Sequence, residues 1–204
     1  MRALYREFLL PPDFKLLHWL NHHHLPFSLD FLRFISTNCT FFTIAILLAV
    51  LLFGFINKSR SLKIKFLVLV SIITLNGLIT QLCKHLINRE RPGYCFTEID
   101  RIVDGGGPSF PSGHSSEVAS LAVSMMILFP NQRRVKSLLF WALLIGYSRM
   151  ALGVHYPSDV IAGLVLGGLV GWSFSFLAKE IFLPVKNDDV IAYSLAEKPG
   201  YIQI

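Results

Sequence analysis

Six residues in the middle of this chain carry groups that could do chemistry together. Lys84 is followed, after six residues, by Arg91-Pro92. Pro111-Ser112-Gly113-His114 comes next. Ser148-Arg149 then leads, after five residues, to His155 and, after three more, to Asp159. All of them border long apolar blocks, and ionisable groups at membrane depth mark a functional site by default, because charge is costly near hydrocarbon. Three cations, two imidazoles and one carboxylate are what a phosphoryl transfer without a metal would need.

Each segment has a chemical reading and a plainer one. Glycines and prolines from Gly105 to Pro111 forbid regular structure until Ser112, a good helix-capping residue, and an apolar run follows Glu117. A helix start offers free N–H groups and a positive dipole end, which suit an anion. Gly113 lets an oxygen approach the backbone, and His114 could give a proton to a leaving oxygen. The plainer reading is a capped turn with a surface histidine. Pro157 suits a first helical turn, so His155 and Asp159, four apart, meet at that helix start. A carboxylate on one ring nitrogen leaves the other free as a nucleophile. The alternative is a capping aspartate beside an interfacial histidine. Lys84, Arg91 and Arg149 supply positive charge for phosphate oxygens. Snorkelling at helix ends is the alternative; it fits Arg89 well and Arg149 poorly, since Met150-Ala151-Leu152 follow directly.

These residues must be positioned by helices that cross a membrane. The chain has 204 residues and is 53% hydrophobic, with a mean hydropathy of +0.54. Composition alone is only suggestive, but the apolar residues come in blocks: Phe41 to Ile56, extendable back to Phe34, then Phe66 to Cys83, Val118 to Phe129, Ser137 to Ser148 and Val160 to Ala178. A span of the ~30 Å hydrocarbon core takes about 20 residues. The third and fourth blocks reach that length only by including the motif residues beside them, from Ser112 onward and through Arg149. The expected fold is all-α, a polytopic bundle of about five spans, with a sixth, tilted span as the alternative. Residues 1–185 read as one membrane domain and 186–204 as a polar tail.

The first thirty residues lack the apolar core and small residues of a cleaved signal. Leu16, Leu17, Trp19 and Leu20, then Leu25 and Phe27, suit an amphipathic helix in the interface. Lys58, Arg60, Lys63 and Lys65 in one loop and Arg133, Arg134 and Lys136 in another mark the cytoplasmic side. Arg2, Arg6, Lys15, Arg89 and Arg101 on the other side weaken that bias. With five spans every motif lies on the opposite, extracytoplasmic face. The net charge of +6 reads as loop cations facing anionic lipid, without the long basic run and interleaved aromatics of a nucleic-acid surface. The three cysteines imply no disulfide framework. Consecutive His22-His23-His24 cannot all face one ion on a helix and read as a polar interfacial edge. Gly163, Gly167 and Gly171 let helices approach closely, within the bundle or, alternatively, in a dimer. Tyr94, Phe96, Glu98, Asp100 and Asp104 could form a lid or contact a headgroup.

Together the three segments resemble the signature of the type 2 phosphatidic acid phosphatase superfamily, which includes the vanadium haloperoxidases. All three parts match, in order and without substitution, from Lys84 to Asp159. The resemblance implies that His155 attacks phosphorus and carries a transient phosphohistidine. Asp159 orients it and His114 protonates the departing oxygen. Lys84, Arg91, Ser112, Gly113 and Arg149 hold the phosphoryl oxygens, with no metal and no cofactor. It implies a lipid phosphate as substrate: undecaprenyl diphosphate, phosphatidylglycerol phosphate, phosphatidic acid or lipid A. A site facing outward from a bacterial inner membrane favours the first slightly. The rivals are a lipid-to-lipid phosphotransferase of the same family, a soluble haloperoxidase, which the five apolar blocks oppose, and a non-catalytic membrane scaffold or transporter.

Overall fold

A computed structural model describes residues 12–24, 29–130 and 132–183. Among them every regular element is helical: α1 (Pro12–His22), α2 (Leu29–Thr37), α3 (Cys39–Ile56), α4 (Arg60–Ile87), the single turn α5 (Pro92–Cys95), α6 (Gly113–Leu128), a 3-10 turn (Arg133–Lys136), α7 (Ser137–Ala151) and α8 (Pro157–Phe182). The helices starting at Cys39, Arg60 and Pro157 are long and apolar enough to cross a membrane. α6 and α7 take in their motif residues as expected, yet with 16 and 15 residues they reach only about 24 Å at 1.5 Å per residue. The first apolar block is broken: Asn38 interrupts the helix, so Phe34 belongs to α2 and the long span begins at Cys39.

The ends are set by local chemistry. Ser59 starts α4 by accepting the Leu62 N–H, and Asn88, in the left-handed region at φ 46°, closes it with its N–H on Lys84 O. Ser112 caps α6. At α8, Pro157 takes the first helical position and Asp159 Oδ2 accepts the Tyr156 N–H at 3.0 Å.

The bundle buries polar side chains among its apolar core and turns large apolar ones outward, as a lipid solvent allows. Asn76, Thr80, Ser116, Ser120, Ser124 and Ser175 are buried, whereas Leu48, Leu52 and Phe53 of α3 and Ile161, Val165, Leu169, Trp172 and Phe176 of α8 are exposed. The opposite face of α8 carries the glycine stripe, which lies on the backbone of α6. A Cβ at Gly163 would stand 2.5 Å from Ser112 O and one at Gly171 2.7 Å from Ser120 O, and Gly167 faces Ser116 O more closely still. The stripe therefore serves packing within the bundle. Gly167→Ala is expected to lower the apparent melting midpoint in detergent by the equivalent of about 1–3 kcal/mol. Gly168→Ala, with open space around it, is the control and should leave the midpoint unchanged; equal midpoints for both variants would mean that the helices sit further apart.

α1 differs from an interfacial helix laid flat on the lipid. Leu16 and Trp19 are exposed, but Phe14 and Leu17 are in the core with Ile99 and Tyr156. Asn21 is fully buried, donating to Asp100 O (3.0 Å) and Ala151 O (2.9 Å) and accepting the Asp100 N–H (2.8 Å). His22 and His23 turn Nδ1 back onto the carbonyls of His18 and Trp19. Arg2, Arg6, Leu25, Phe27 and the tail 186–204 lie outside the described residues.

Candidate active site

Four helix ends and one loop converge on a cavity of about 480 Å³. Lys84 comes from the end of α4, Arg91 from the N-cap of α5, Gly113 and His114 from the start of α6, and Arg149 from the end of α7. His155 comes from the loop before α8. All six line the cavity. The other two expected residues stand behind it. Asp159 is fully buried beneath His155. Ser112 does not line the cavity: its Oγ is 2.9 Å from Ser115 Oγ and its N–H donates to Asp159 O at 2.9 Å, so its side chain caps α6 and ties α6 to α8.

The geometry assigns the histidine tautomer. Arg91 Nη1 can only donate, and it lies 3.0 Å from His155 Nε2. That nitrogen therefore holds the lone pair, and the ring proton sits on Nδ1. Nδ1 faces Asp159 Oδ2 at 3.5 Å, a separation too long to count as a hydrogen bond in this state, so the contact is electrostatic. The loop placing His155 is itself shaped by close approach: Gly153 adopts φ +72°, and a Cβ there would strike the Asp100 carbonyl. Burial, then the charges of Arg149, Arg91 and Lys84, push the His155 pKa well below the usual histidine value. The imidazole is neutral, and its unprotonated Nε2 accepts from Arg91 among the cations.

Those cations are held by carbonyls of the Gly105–Pro108 loop. Lys84 Nζ donates to Pro108 O (2.6 Å), Arg91 Nε to Gly107 O (2.9 Å) and Arg91 Nη2 to Gly106 O (2.8 Å). Gly105 lies flat on the guanidinium; a Cβ there would be 2.6 Å from Arg91 Nη1. Arg149 is buried and donates from Nη1 to Ser36 Oγ, and its Nε has no partner among the described residues. Among the described residues the hydrogen-bond partners of these three cations are neutral, so an anion with several oxygens could take charge-assisted hydrogen bonds from them.

The 93–107 loop is tied down more firmly than a lid would be. Phe96 packs on Phe14 with ring centroids 4.3 Å apart, Asn21 grips Asp100, and Tyr94 Oη donates to Gly105 O at 3.3 Å.

One member of the site was read otherwise in the sequence. Arg89, expected to snorkel, turns inward and bridges two carboxylates. Nη1 donates to Asp159 Oδ1 (2.7 Å) and Ser158 Oγ (2.6 Å), and Nη2 donates to Asp13 Oδ2 (2.7 Å). The guanidinium lies over the Tyr156 ring, 3.8 Å from its centroid. Asp13 also accepts the Ser158 N–H at 2.9 Å. Burial would raise the Asp13 pKa, but the hydrogen bonds from Ser158 and Arg89 outweigh it and hold the carboxyl below the usual range. α1 is thus joined to the catalytic helix start by an ionised network. The missed signals are weak: Arg89 differs from an ordinary loop arginine only by standing two residues before Arg91.

Comparison with known proteins points one way. A model of the PAP2 superfamily matches residues 65–181. The lipid A 4'-phosphatase of Bacteroides thetaiotaomicron is 30% identical over 193 residues, which cover 89% of this chain and 84% of that protein. Undecaprenyl-diphosphatase BcrC of Bacillus subtilis is 31% identical over 191 residues, covering 91% and 95%. Among solved structures, the PAP2-type phosphatidylglycerolphosphate phosphatase of Bacillus subtilis superposes with a TM-score of 0.70 at 22% identity, covering 90% of each chain. Aquifex aeolicus LpxE gives 0.68 at 22% identity, covering 84% of this chain and 97% of that one.

Proposed function

The chain belongs to the PAP2 superfamily and is a membrane lipid phosphate phosphatase, and we propose that it removes a terminal phosphate through a phosphohistidine on His155. Nε2 attacks phosphorus as the bond to the lipid oxygen breaks, and His114 gives that oxygen its proton. Water then attacks the phosphohistidine, His114 takes the water's proton, and the P–N bond breaks to free phosphate and the imidazole. Lys84, Arg91, Arg149 and the Gly113 end of α6 carry the charge on the phosphoryl oxygens, so cationic side chains fill the part a metal ion plays elsewhere. Asp159 holds the Nδ1 proton side of His155 in place. Ser112 acts by fixing the helix start. The observation that carries this reading is His155 Nε2, deprotonated by geometry and 3.0 Å from Arg91, inside a cavity shared with two further cations.

A lipid substrate is supported by the cavity's apolar lining on α3 and α4, which includes Ile44, Leu47 and Ile73. The chains can lie there while only the phosphate reaches the cations. The relatives are named for lipid A and for undecaprenyl diphosphate, and both belong to the substrate range proposed here, with phosphatidylglycerol phosphate and phosphatidic acid. Residues 1–185 form one membrane domain of five spans in this reading. It sits in a bacterial inner membrane with the site facing outward, which the cluster Lys58, Arg60, Lys63 and Lys65 at the opposite end supports.

The test is phosphate release from these four lipids in detergent. Addition of a chelator is expected to change the rate by less than about twofold, because no step needs a Lewis acid. Vanadate should inhibit as a five-coordinate mimic of the transferring phosphorus. Collapse of activity on chelation, restored by a divalent ion, would rule out the mechanism.

A further inference from the structure

The cavity carries a carboxylate that hydrolysis does not use. Glu117 lies three residues after His114 on α6, about 4.5 Å further along the axis. It lines the cavity with Thr40 of α3, the helix that also brings Ile44 and Leu47 to the lining. Oε2 accepts from Thr40 Oγ1 at 2.9 Å. Oε1 is buried and, among the described residues, has no hydrogen-bond partner. Among the described residues no cation donates to it: Arg149 Nη1 donates to Ser36 and Lys84 Nζ to Pro108. An ionised carboxylate can only accept, and a buried acceptor left without a donor is costly unless a ligand supplies one.

We propose that Glu117 determines specificity by accepting a hydrogen bond from an O–H or N–H group next to the scissile phosphate. It thereby selects phosphate monoesters of hydroxyl- or amide-bearing headgroups, such as an N-acylated amino sugar, over lipid diphosphates. This rests on the phosphatase reading above. His114 serves the leaving oxygen, and the lipid chains lie against the apolar lining of α3 and α4. The group bonded to the leaving oxygen must therefore sit between His114 and that lining, and Glu117, on α6 with His114 and bonded to Thr40 of α3, stands between the two. In an acylated sugar that group carries hydroxyls and an amide N–H, which match the free Oε1. In a polyprenyl diphosphate it is a second phosphate, whose charged oxygens meet a carboxylate in a low-dielectric pocket, and like charges there repel strongly. The slight preference for undecaprenyl diphosphate expected from an outward-facing site is reversed by this carboxylate.

The experiment compares kcat/KM of wild type, Glu117→Gln and Glu117→Ala on three lipids: a monophosphorylated N-acyl glucosamine lipid, dioleoyl phosphatidic acid and a C55 polyprenyl diphosphate. Wild type should prefer them in that order. Glu117→Gln keeps the shape and the acceptor for Thr40 but removes the charge. It should shift the glycolipid-to-diphosphate ratio by about tenfold or more toward the diphosphate. Glu117→Ala gives the same readout should the glutamine variant fail to fold. A general loss of structure lowers all three rates and leaves the ratio alone. A ratio unchanged within about twofold, or a wild type preferring the diphosphate, overturns this inference and leaves the phosphatase reading standing. Release from none of the three by wild type overturns both.

Discussion

His155→Ala is expected to reduce lipid phosphate release to the floor of the assay, a loss of at least about a thousandfold, while the protein still elutes as the wild type does in detergent. The reason lies in what the residue alone supplies. The cations around it bind and neutralise, but only an imidazole with a free Nε2 can make the bond to phosphorus. That nitrogen is set by two neighbours: Arg91, which must donate to it at 3.0 Å, and Asp159, whose carboxylate faces the proton on the other side at 3.5 Å. Truncation leaves the cradle intact, so the variant should still bind a phosphorylated lipid while turning over none. A rapid acid-free quench of the wild type on labelled lipid should trap protein-bound phosphate that survives base and is lost in acid, as a P–N bond requires. The trapped label should be absent from His155→Ala. Phosphate release within tenfold of wild type by that variant would remove the nucleophile from the proposal.

The cations and imidazoles were legible in the sequence because their cost gives them away. A lysine, two arginines and a buried histidine–aspartate pair beside apolar runs need a reason to be there, and one reason covers them all. The helix starts at Ser112 and Pro157 were legible from capping chemistry. The glycine stripe was legible as a close approach, and the structure supplies its partner, the Ser112–Ser120 face of α6. What hydropathy and spacing could not show is pairing between distant segments. Asp13 sits in a stretch with no motif, and nothing local marks it as the partner of an arginine 76 positions away. Asn21 reads as one more polar residue beside three histidines, yet it is fully buried between the 93–107 loop and the end of α7. Leu17 reads as lipid-facing because amphipathic periodicity names a face without naming what covers it. The break at Asn38 was hidden by a continuous apolar run. Ser112 was expected as a helix cap from its residue type and as a phosphate holder from the resemblance; its side chain caps α6 and does not line the cavity.

Arg89→Ala is expected to lower kcat by about 10- to 100-fold with little change in KM, the usual consequence of removing a group that orients a catalytic one. Arg89 touches no part of the cavity wall; it acts through Asp159. With Arg89 present, Asp159 has Oδ1 fixed by the guanidinium at 2.7 Å and Oδ2 by the Tyr156 N–H at 3.0 Å. Both oxygens are held, so the face turned toward His155 Nδ1 is held too. Without it, a fully buried carboxylate keeps its bonds from the Tyr156 N–H and the Ser109 hydroxyl but loses its counter-charge, and the nearest cations are those meant for phosphate. Asp159 would turn toward them or take up a proton, and either change frees the imidazole to rotate. Lysine cannot bridge Asp159, Ser158 and Asp13 at once with a point charge, so Arg89→Lys should recover only part of the loss. Asp13→Asn keeps Arg89 on Asp159 and removes only the outer anchor, so its kcat should fall by a few-fold at most. A merely structural role would instead lower the melting midpoint and the amount of active enzyme, leaving kcat per active site intact. Titration of active sites by the trapped phosphoenzyme separates the two, and an unchanged rate per site in Arg89→Ala would mean that Asp159 keeps its aim without help.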